Sequence, residues 1–227
     1  MSDICDLFIV ESFSSSDNVN HEGGDIANSL RKIGKRPIFI SVGTQEELKQ
    51  ALNMFKDSHY RFIHFSCHGS PHSLTLAKSG DLSYSDFAQL SRNCFNAKRV
   101  FFSSCCLGNK DFSEEVATHN LGIQSVIAPI NEISSILSVP LWCSFYSSIL
   151  LPKIQSDSNI SEKNKLTLSD VMHNFGHVVA LYGTPFHISY HETSKHILYH
   201  KKMIPGKGSE HYSFFSSIKP YDHLNLR

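Results

Sequence analysis

The chain has 227 residues, enough for one domain with a substantial core, and its 21 lysines and arginines balance its 21 aspartates and glutamates. This balance argues against nucleic acid or an anionic membrane as the main partner. The acidic start of the chain lacks the basic residues of a signal peptide, and no apolar run approaches the roughly 18 residues of a membrane span, so we expect a cytoplasmic protein. Its six cysteines lack the spacing of a disulfide framework and are expected to be free thiols.

Strand-like and helix-like segments alternate along the first 130 residues. Asp25 is expected to cap the first helix, and the capping-box pair of Thr44 and Glu47 the second. Asp111 and Glu114 repeat that spacing before a later helix. A small hairpin and a short helix are expected between 70 and 96. Short apolar runs predict buried strands at 7–10, 37–42, 60–66, 100–104 and 124–130.

The second half of the chain is more irregular. Pro140 is expected to start a helix, and another is expected from about Ser169 to Tyr182. The serine-rich segment 153–165 is predicted to be an exposed loop, and the histidine-rich tail 184–227 shows no clear period. Alternating strands and helices imply right-handed crossovers, so we predict a single α/β domain over residues 1–227, with a mainly parallel central sheet and helices on both faces.

Two reactive side chains follow buried strands of this predicted sheet. His68, with Gly69 behind it, ends the strand that begins near residue 60, and Cys105 ends the next long apolar run. The carboxyl ends of parallel strands share one edge of a sheet, which is where α/β proteins place their functional groups. Since only one hairpin and one helix are expected between them, the two ends are predicted to be neighbours.

Histidine beside cysteine is the side-chain pair of a cysteine nucleophile and its base. The thiolate is the reactive form, so Cys105 needs a proton acceptor, and His68 is the candidate for that role and for protonating the leaving amine. The oxyanion of an acyl-transfer intermediate needs backbone donors. The amides of Gly69 and Cys105 are the predicted donors.

At these residues the chain resembles the caspase-like cysteine proteases, most closely the CHAT branch. In that family an apolar strand ends in His-Gly, and a later strand ends in a Ser-Ala-Cys-like triplet before a turn with glycine. Here these motifs are Cys67-His68-Gly69 and Ser103-Ser104-Cys105, with Gly108 following. The likeness extends over about residues 4 to 190.

The resemblance implies a caspase-like three-layer sandwich and a cysteine endopeptidase that cleaves a protein substrate through Cys105 and His68 without a cofactor. It also implies an effector activated by an upstream sensor protein, and in bacteria a role in anti-phage defence. Caspase-like enzymes are often cut between the halves of the fold. The segment 153–165 is therefore a candidate self-processing site, with Asp157 and three lysines as possible cleavage points. The alternative is a merely solvated loop.

The substrate pocket departs from the family pattern. Relatives that cleave after arginine commonly carry an aspartate at the start of the catalytic triplet or in the loop after the fifth strand, where it pairs with the guanidinium. Ser103 occupies the first place here, and Ser134-Ser135 the second. Glu132 is close enough in sequence to supply the charge. Ser103, Glu132 and Ser135 are thus candidate substrate-binding residues.

Each reactive residue also has a plain structural interpretation. Cysteine is among the most buried residue types, so Cys105 could be a core residue and His68 a hydrogen-bonded loop histidine, as in a catalytically silent adaptor of the same fold. Cys106 is a rival nucleophile, although its side chain should point to the opposite face if the strand persists. His64 shares a face with His68 but lies deeper and is expected to be a core histidine.

The tail histidines suggest a further alternative, a histidine-ligated metalloenzyme. His187 and His191, and likewise His196 and His200, have the four-residue spacing that places two ligands on one face of a helix. The near-motif His-Glu-x-x-x-His has a five-residue spacing instead, which a helix does not bring to one face.

Overall fold

The computed structural model describes residues 6–15, 21–151, 166–192, 197–205 and 214–216. The segment 153–165, predicted to be an exposed loop and candidate processing site, lies outside these residues. The strands of the described part are β1 (Leu7–Ser12), β2 (Ile38–Ser41), β3 (Phe62–Gly69), β4 (Ser73–Leu76), β5 (Gly80–Ser83), β6 (Arg99–Phe102), β7 (Ser125–Pro129), β8 (Phe186–Glu192), β9 (Ile197–Met203) and β10 (Phe214–Ser216). The helices are α1 (Glu22–Lys32), α2 (Gln45–Asp57), α3 (Tyr84–Leu90), α4 (Lys110–His119), α5 (Ser135–Leu150) and α6 (Leu168–Tyr182).

The central sheet has the strand order β10-β9-β8-β7-β6-β3-β1-β2. Strands β7, β6, β3, β1 and β2 run parallel to their neighbours in this order, whereas β8, β9 and β10 add antiparallel strands beyond β7. The hairpin of β4 and β5 attaches to the last residues of β3. The mainly parallel α/β sheet predicted from the sequence is confirmed.

Helices cover both faces of this sheet, because alternate strand residues point to opposite sides. On one side Phe8, Phe65 and Phe102 pack with apolar residues of α2, α3 and α4. On the other side Ile9 and Phe101 pack with apolar residues of α1, α5 and α6. The expected three-layer sandwich is therefore confirmed. No helix in the described ranges has the length and apolar character that crossing a membrane requires.

Helix starts match the sequence prediction only where the cap is local. Thr44 accepts a hydrogen bond from the Glu47 amide and forms the expected capping box of α2. Asp25 does not cap α1, which begins three residues earlier at Glu22. The carboxylate of Glu11, on β1, accepts a 2.7 Å hydrogen bond from the Gly23 amide there. This donor is satisfied by a residue distant in sequence, so local spacing could not reveal the helix start.

Two further helix starts differ from the prediction. The cap of α4 is Asn109, whose side chain accepts a 2.8 Å hydrogen bond from the Phe112 amide, and not Asp111, which lies inside the first turn. Helix α5 begins at Ser135, so Pro140 lies inside it instead of starting it. The carbonyl that loses its donor to Pro140 belongs to Ile136, which is 82% exposed at the start of the helix, so the cost of this proline is reduced.

The histidine-rich tail contains the strands β8, β9 and β10, which the sequence analysis did not predict. In β8, Phe186 and Ile188 join the core shared with α5 and α6, while His187 and Ser189 are buried on the opposite face. His187 there lies 3.5 Å from the hydroxyl of Ser113 on α4. Phe186 to Tyr190 do alternate apolar and polar residues, as a strand should, although the polar face is buried here as well.

Candidate active site

Pairing between β3 and β6 aligns the two predicted catalytic residues. The parallel register joins Phe62 to Arg99 and Phe65 to Phe102, a constant offset of 37 residues. Contacts at the same offset continue beyond the strand, since the Cys67 thiol lies 3.0 Å from the Ser104 hydroxyl. His68 and Cys105 are the next residues along the two segments and are separated by the same 37 positions. The structure thus brings both predicted residues to the same end of two neighbouring strands.

Close backbone contact joins the two strand ends. A Cβ atom added at Gly69 would lie 2.6 Å from the carbonyl oxygen of Cys105 and 3.0 Å from the Cβ of Ser104. Only glycine allows this approach without a shift of the backbone. The predicted oxyanion donors, the amides of Gly69 and Cys105, therefore belong to segments in direct contact.

His68 lies at the exposed edge of the sheet. Strand alternation places Phe65 and Cys67 on one face and His64, Ser66 and His68 on the other. The imidazole of His68 is exposed and packs edge-on against the ring of Phe13, with centroids 5.0 Å apart. The pairing of β3 with β6 ends before His68, and the backbone of His68 pairs with Thr75 of β4 instead. An exposed imidazole on a strand that is anchored on both sides is positioned and yet open to solvent, as a proton-transfer group requires.

Cys105 is half-buried in the turn after β6, and its sulfur lies against the loop that follows β7. The Ile133 amide donates a hydrogen bond of 3.3 Å to Sγ. Burial raises the pKa of the Cys105 thiol, the Ile133 amide opposes this effect, and the carboxylates of Glu132 and Glu22 raise the pKa further. The protonated thiol is therefore the resting form. No motif in the sequence indicates the Ile133 contact.

Cys106, the rival nucleophile, occupies a different conformation. The strand ends at Phe102, so the alternation expected to turn Cys106 to the opposite face does not apply. Its φ of 61° lies in the left-handed region, and its amide donates to the carbonyl of Asn131 over 3.4 Å. Burial, followed by the neighbouring Cys105 and Glu132, raises the pKa of the Cys106 thiol as well.

A buried polar cluster lies on the sheet face that His64 shares with His68. His64 is fully buried, as expected for a core histidine, and its Nδ1 lies 2.8 Å from the Tyr146 hydroxyl. Its Nε2 lies 3.5 Å from a carboxylate oxygen of Glu22. Burial acts to raise the pKa of Glu22, but His64 and the hydroxyls of Ser103 and Ser138 outweigh burial, and the pKa is lowered. Glu22 is therefore ionised at neutral pH.

The three candidate substrate-binding residues lie in different environments. Ser103 is buried, and its hydroxyl donates a 3.2 Å hydrogen bond to the carbonyl of Phe65. Glu132 is exposed in the loop after β7, next to the residue that contacts the Cys105 sulfur. Ser135 is exposed at the first position of α5.

The tail histidines do not gather on a helix. His187 and His200 lie on the neighbouring strands β8 and β9 and stack at 5.2 Å between ring centroids. His191 is in β8, and His196 lies outside the described residues. Among the residues that the structure describes, no three or more histidine, cysteine, aspartate or glutamate side chains are grouped to hold a metal ion.

Comparison with known proteins agrees with this arrangement. The family model of the CHAT domain matches residues 10–158, a range that includes His68, Cys105 and the strands that hold them. A search of curated proteins finds no match. The matched range covers well over half of the chain, so the chain belongs to the CHAT domain family, a family of caspase-like peptidases.

Proposed function

We propose that this chain is a cysteine endopeptidase with Cys105 as the nucleophile and His68 as the general base and acid. The observation that carries the proposal is the offset of 37 residues between β3 and β6, which is also the separation of His68 and Cys105. The close approach of Gly69 to the carbonyl of Cys105 gives independent support, because it ties the two strand ends together.

The proposed reaction uses groups of the chain alone. His68 accepts the proton of the Cys105 thiol, and the thiolate attacks the scissile carbonyl carbon to form a sulfur–carbon bond. Backbone amides of Gly69 and Cys105 stabilise the oxyanion. The carbon–nitrogen bond then breaks, and His68 gives its proton to the departing amine. Water, deprotonated by His68, hydrolyses the thioester and restores the thiol.

The resting state of Cys105 supports regulation by a partner. Burial and two carboxylates raise the pKa of this thiol, so the nucleophile is protonated before activation. We propose that an upstream sensor protein activates the enzyme by moving Glu132 away from Cys105 while the neighbouring Ile133 amide keeps its contact with the sulfur. Cleavage of a protein substrate in bacterial anti-phage defence is the corresponding biological proposal, and it rests on the family alone.

Thiol labelling tests the dyad directly. With the activator present, the protein is treated with iodoacetamide, and the labelled cysteine is located by mass spectrometry in the wild type and in the His68→Ala, Cys105→Ala and Cys106→Ala variants. We expect preferential labelling of Cys105 that falls in His68→Ala and persists in Cys106→Ala. Peptide cleavage in the presence of the activator should disappear in Cys105→Ala and His68→Ala. Labelling centred on Cys106, or cleavage without Cys105, contradicts the proposal.

A catalytically silent adaptor of the same fold is the second candidate. The raised pKa of the Cys105 thiol is the observation that favours it, because a protonated thiol is a poor nucleophile. An adaptor predicts that Cys105 reacts no faster than the half-buried Cys143 and that His68→Ala leaves both rates unchanged. The same labelling series therefore separates the two functions.

A further inference from the structure

Helix α6 carries two histidines one turn apart on its exposed side. His173 and His177 have the four-residue spacing that places side chains on one face of a helix. Both are exposed, whereas Val171, Phe175 and Val178 bury the opposite face of the helix in the core. The pair is therefore accessible to a ligand from solvent and is supported by a packed helix.

The two imidazoles are already in contact through the nitrogen atoms that bind metals. Their Nε2 atoms are 3.1 Å apart, the ring planes are nearly perpendicular at 89°, and the ring centroids lie 4.5 Å apart. One ring donates a hydrogen bond to the other in this arrangement. The preferred tautomers change when an ion binds, because both Nε2 atoms then act as ligands.

The separation of the two nitrogens fits a chelated ion. With metal–nitrogen bonds of about 2.1 Å, two ligands at a right angle lie about 3.0 Å apart, and two ligands at the tetrahedral angle about 3.4 Å apart. The observed 3.1 Å is closer to the right angle. Nickel(II) and copper(II) favour right-angled geometries, and zinc(II) requires only a small opening of the pair.

We propose that His173 and His177 form a two-ligand site for a divalent transition-metal ion of the nickel, copper and zinc group. Water or other external ligands complete the coordination. The bound ion links two successive turns of α6 and thereby stabilises the helix. This site is separate from the proposed catalytic residues and does not depend on the peptidase proposal.

Nickel titration of the full chain tests the site. We compare the wild type with His173→Ala, His177→Ala, the double variant and His59→Ala, using calorimetry at about pH 7.5, where imidazole is mostly neutral. His59 is an exposed histidine whose ring contacts Tyr60, and it serves as the matched control. Alanine favours helix, so the α6 variants should fold, and circular dichroism verifies this.

We expect each single α6 variant to bind Ni²⁺ at least roughly tenfold more weakly than the wild type, while His59→Ala retains wild-type affinity. Ni²⁺ should raise the Tm of the wild type and not that of the double variant, and Mg²⁺, which prefers oxygen ligands, should raise neither. Lowering the pH to about 5.5 should weaken binding in the wild type, because protonated imidazole is not a ligand. Unchanged Ni²⁺ affinity in the double variant overturns the proposal.

Discussion

The contact between Gly69 and Cys105 makes a quantitative prediction for Gly69→Ala. The new Cβ would lie 2.6 Å from the Cys105 carbonyl oxygen, whereas ordinary contact begins at 3.4 Å. The two strand ends must therefore separate by about 0.8 Å, since the obstructing atom is backbone and not a flexible side chain. A misplacement of about 1 Å in an active site can reduce the rate about 100-fold.

We expect Gly69→Ala to lower kcat/KM by roughly 10-fold to 100-fold and to cost about 1–3 kcal/mol of folding free energy through overpacking. The assays are peptide cleavage with the activator present, the rate of iodoacetamide labelling at Cys105, and urea unfolding. Unfolding measurements separate loss of geometry from loss of fold.

Gly24→Ala is the matched control. Its Cβ would lie 3.5 Å from the Cβ of His21 and 3.9 Å from the ring of Phe39, both ordinary contacts. Because Gly24 lies within α1, alanine should add about 0.5–1 kcal/mol of stability, and activity should be unchanged. Wild-type cleavage and labelling in Gly69→Ala would refute the inference that the two strand ends form one site.

Three further predictions concern charge and processing. Glu132→Gln should shift the pH profile of Cys105 labelling to lower pH, because Glu132 raises the pKa of that thiol, and it should reduce cleavage after lysine and arginine more than after neutral residues. Burial lowers the pKa of His187 from 6.5 to about 4, so urea unfolding should show stability fully present above pH 6.5 and falling by up to about 3 kcal/mol towards pH 4. His187→Gln should flatten this dependence, whereas His59→Gln should leave it unchanged. On long incubation, active protein should be cleaved within 153–165, and the Cys105→Ala variant should remain uncleaved. Intact mass measures both outcomes.

The sequence predicted the parallel sheet and the two reactive strand ends because these features are local. Continuous apolar runs mark buried strands, and His68-Gly69 and Cys105 follow directly after such runs. The pairing register is not local, because it depends on how β3 and β6 meet. The sequence predicted that the two strand ends are neighbours, but the offset of 37 residues between β3 and β6 needed the structure.

Features that depend on residues far apart in sequence were missed. The Ile133 amide that contacts the Cys105 sulfur lies 28 residues away, in a loop without a motif. Glu22 on α1 pairs with His64 on β3. Glu22 stands in a polar stretch of the sequence that is typical of a solvent-exposed loop. The start of α1 was misplaced for the same reason, since Glu11 on β1 accepts from an amide of its first turn.

The charges around Cys105 link substrate choice to activation in the proposed mechanism. Glu132 and the buried Glu22 both raise the pKa of the thiol, so each acts against formation of the thiolate. Glu22 is fixed in the core by His64, but Glu132 is exposed and free to meet a cation from outside. A lysine or arginine side chain of the substrate that pairs with Glu132 cancels the charge that opposes ionisation of Cys105. Such a contact with a basic substrate would thus promote transfer of the thiol proton to His68.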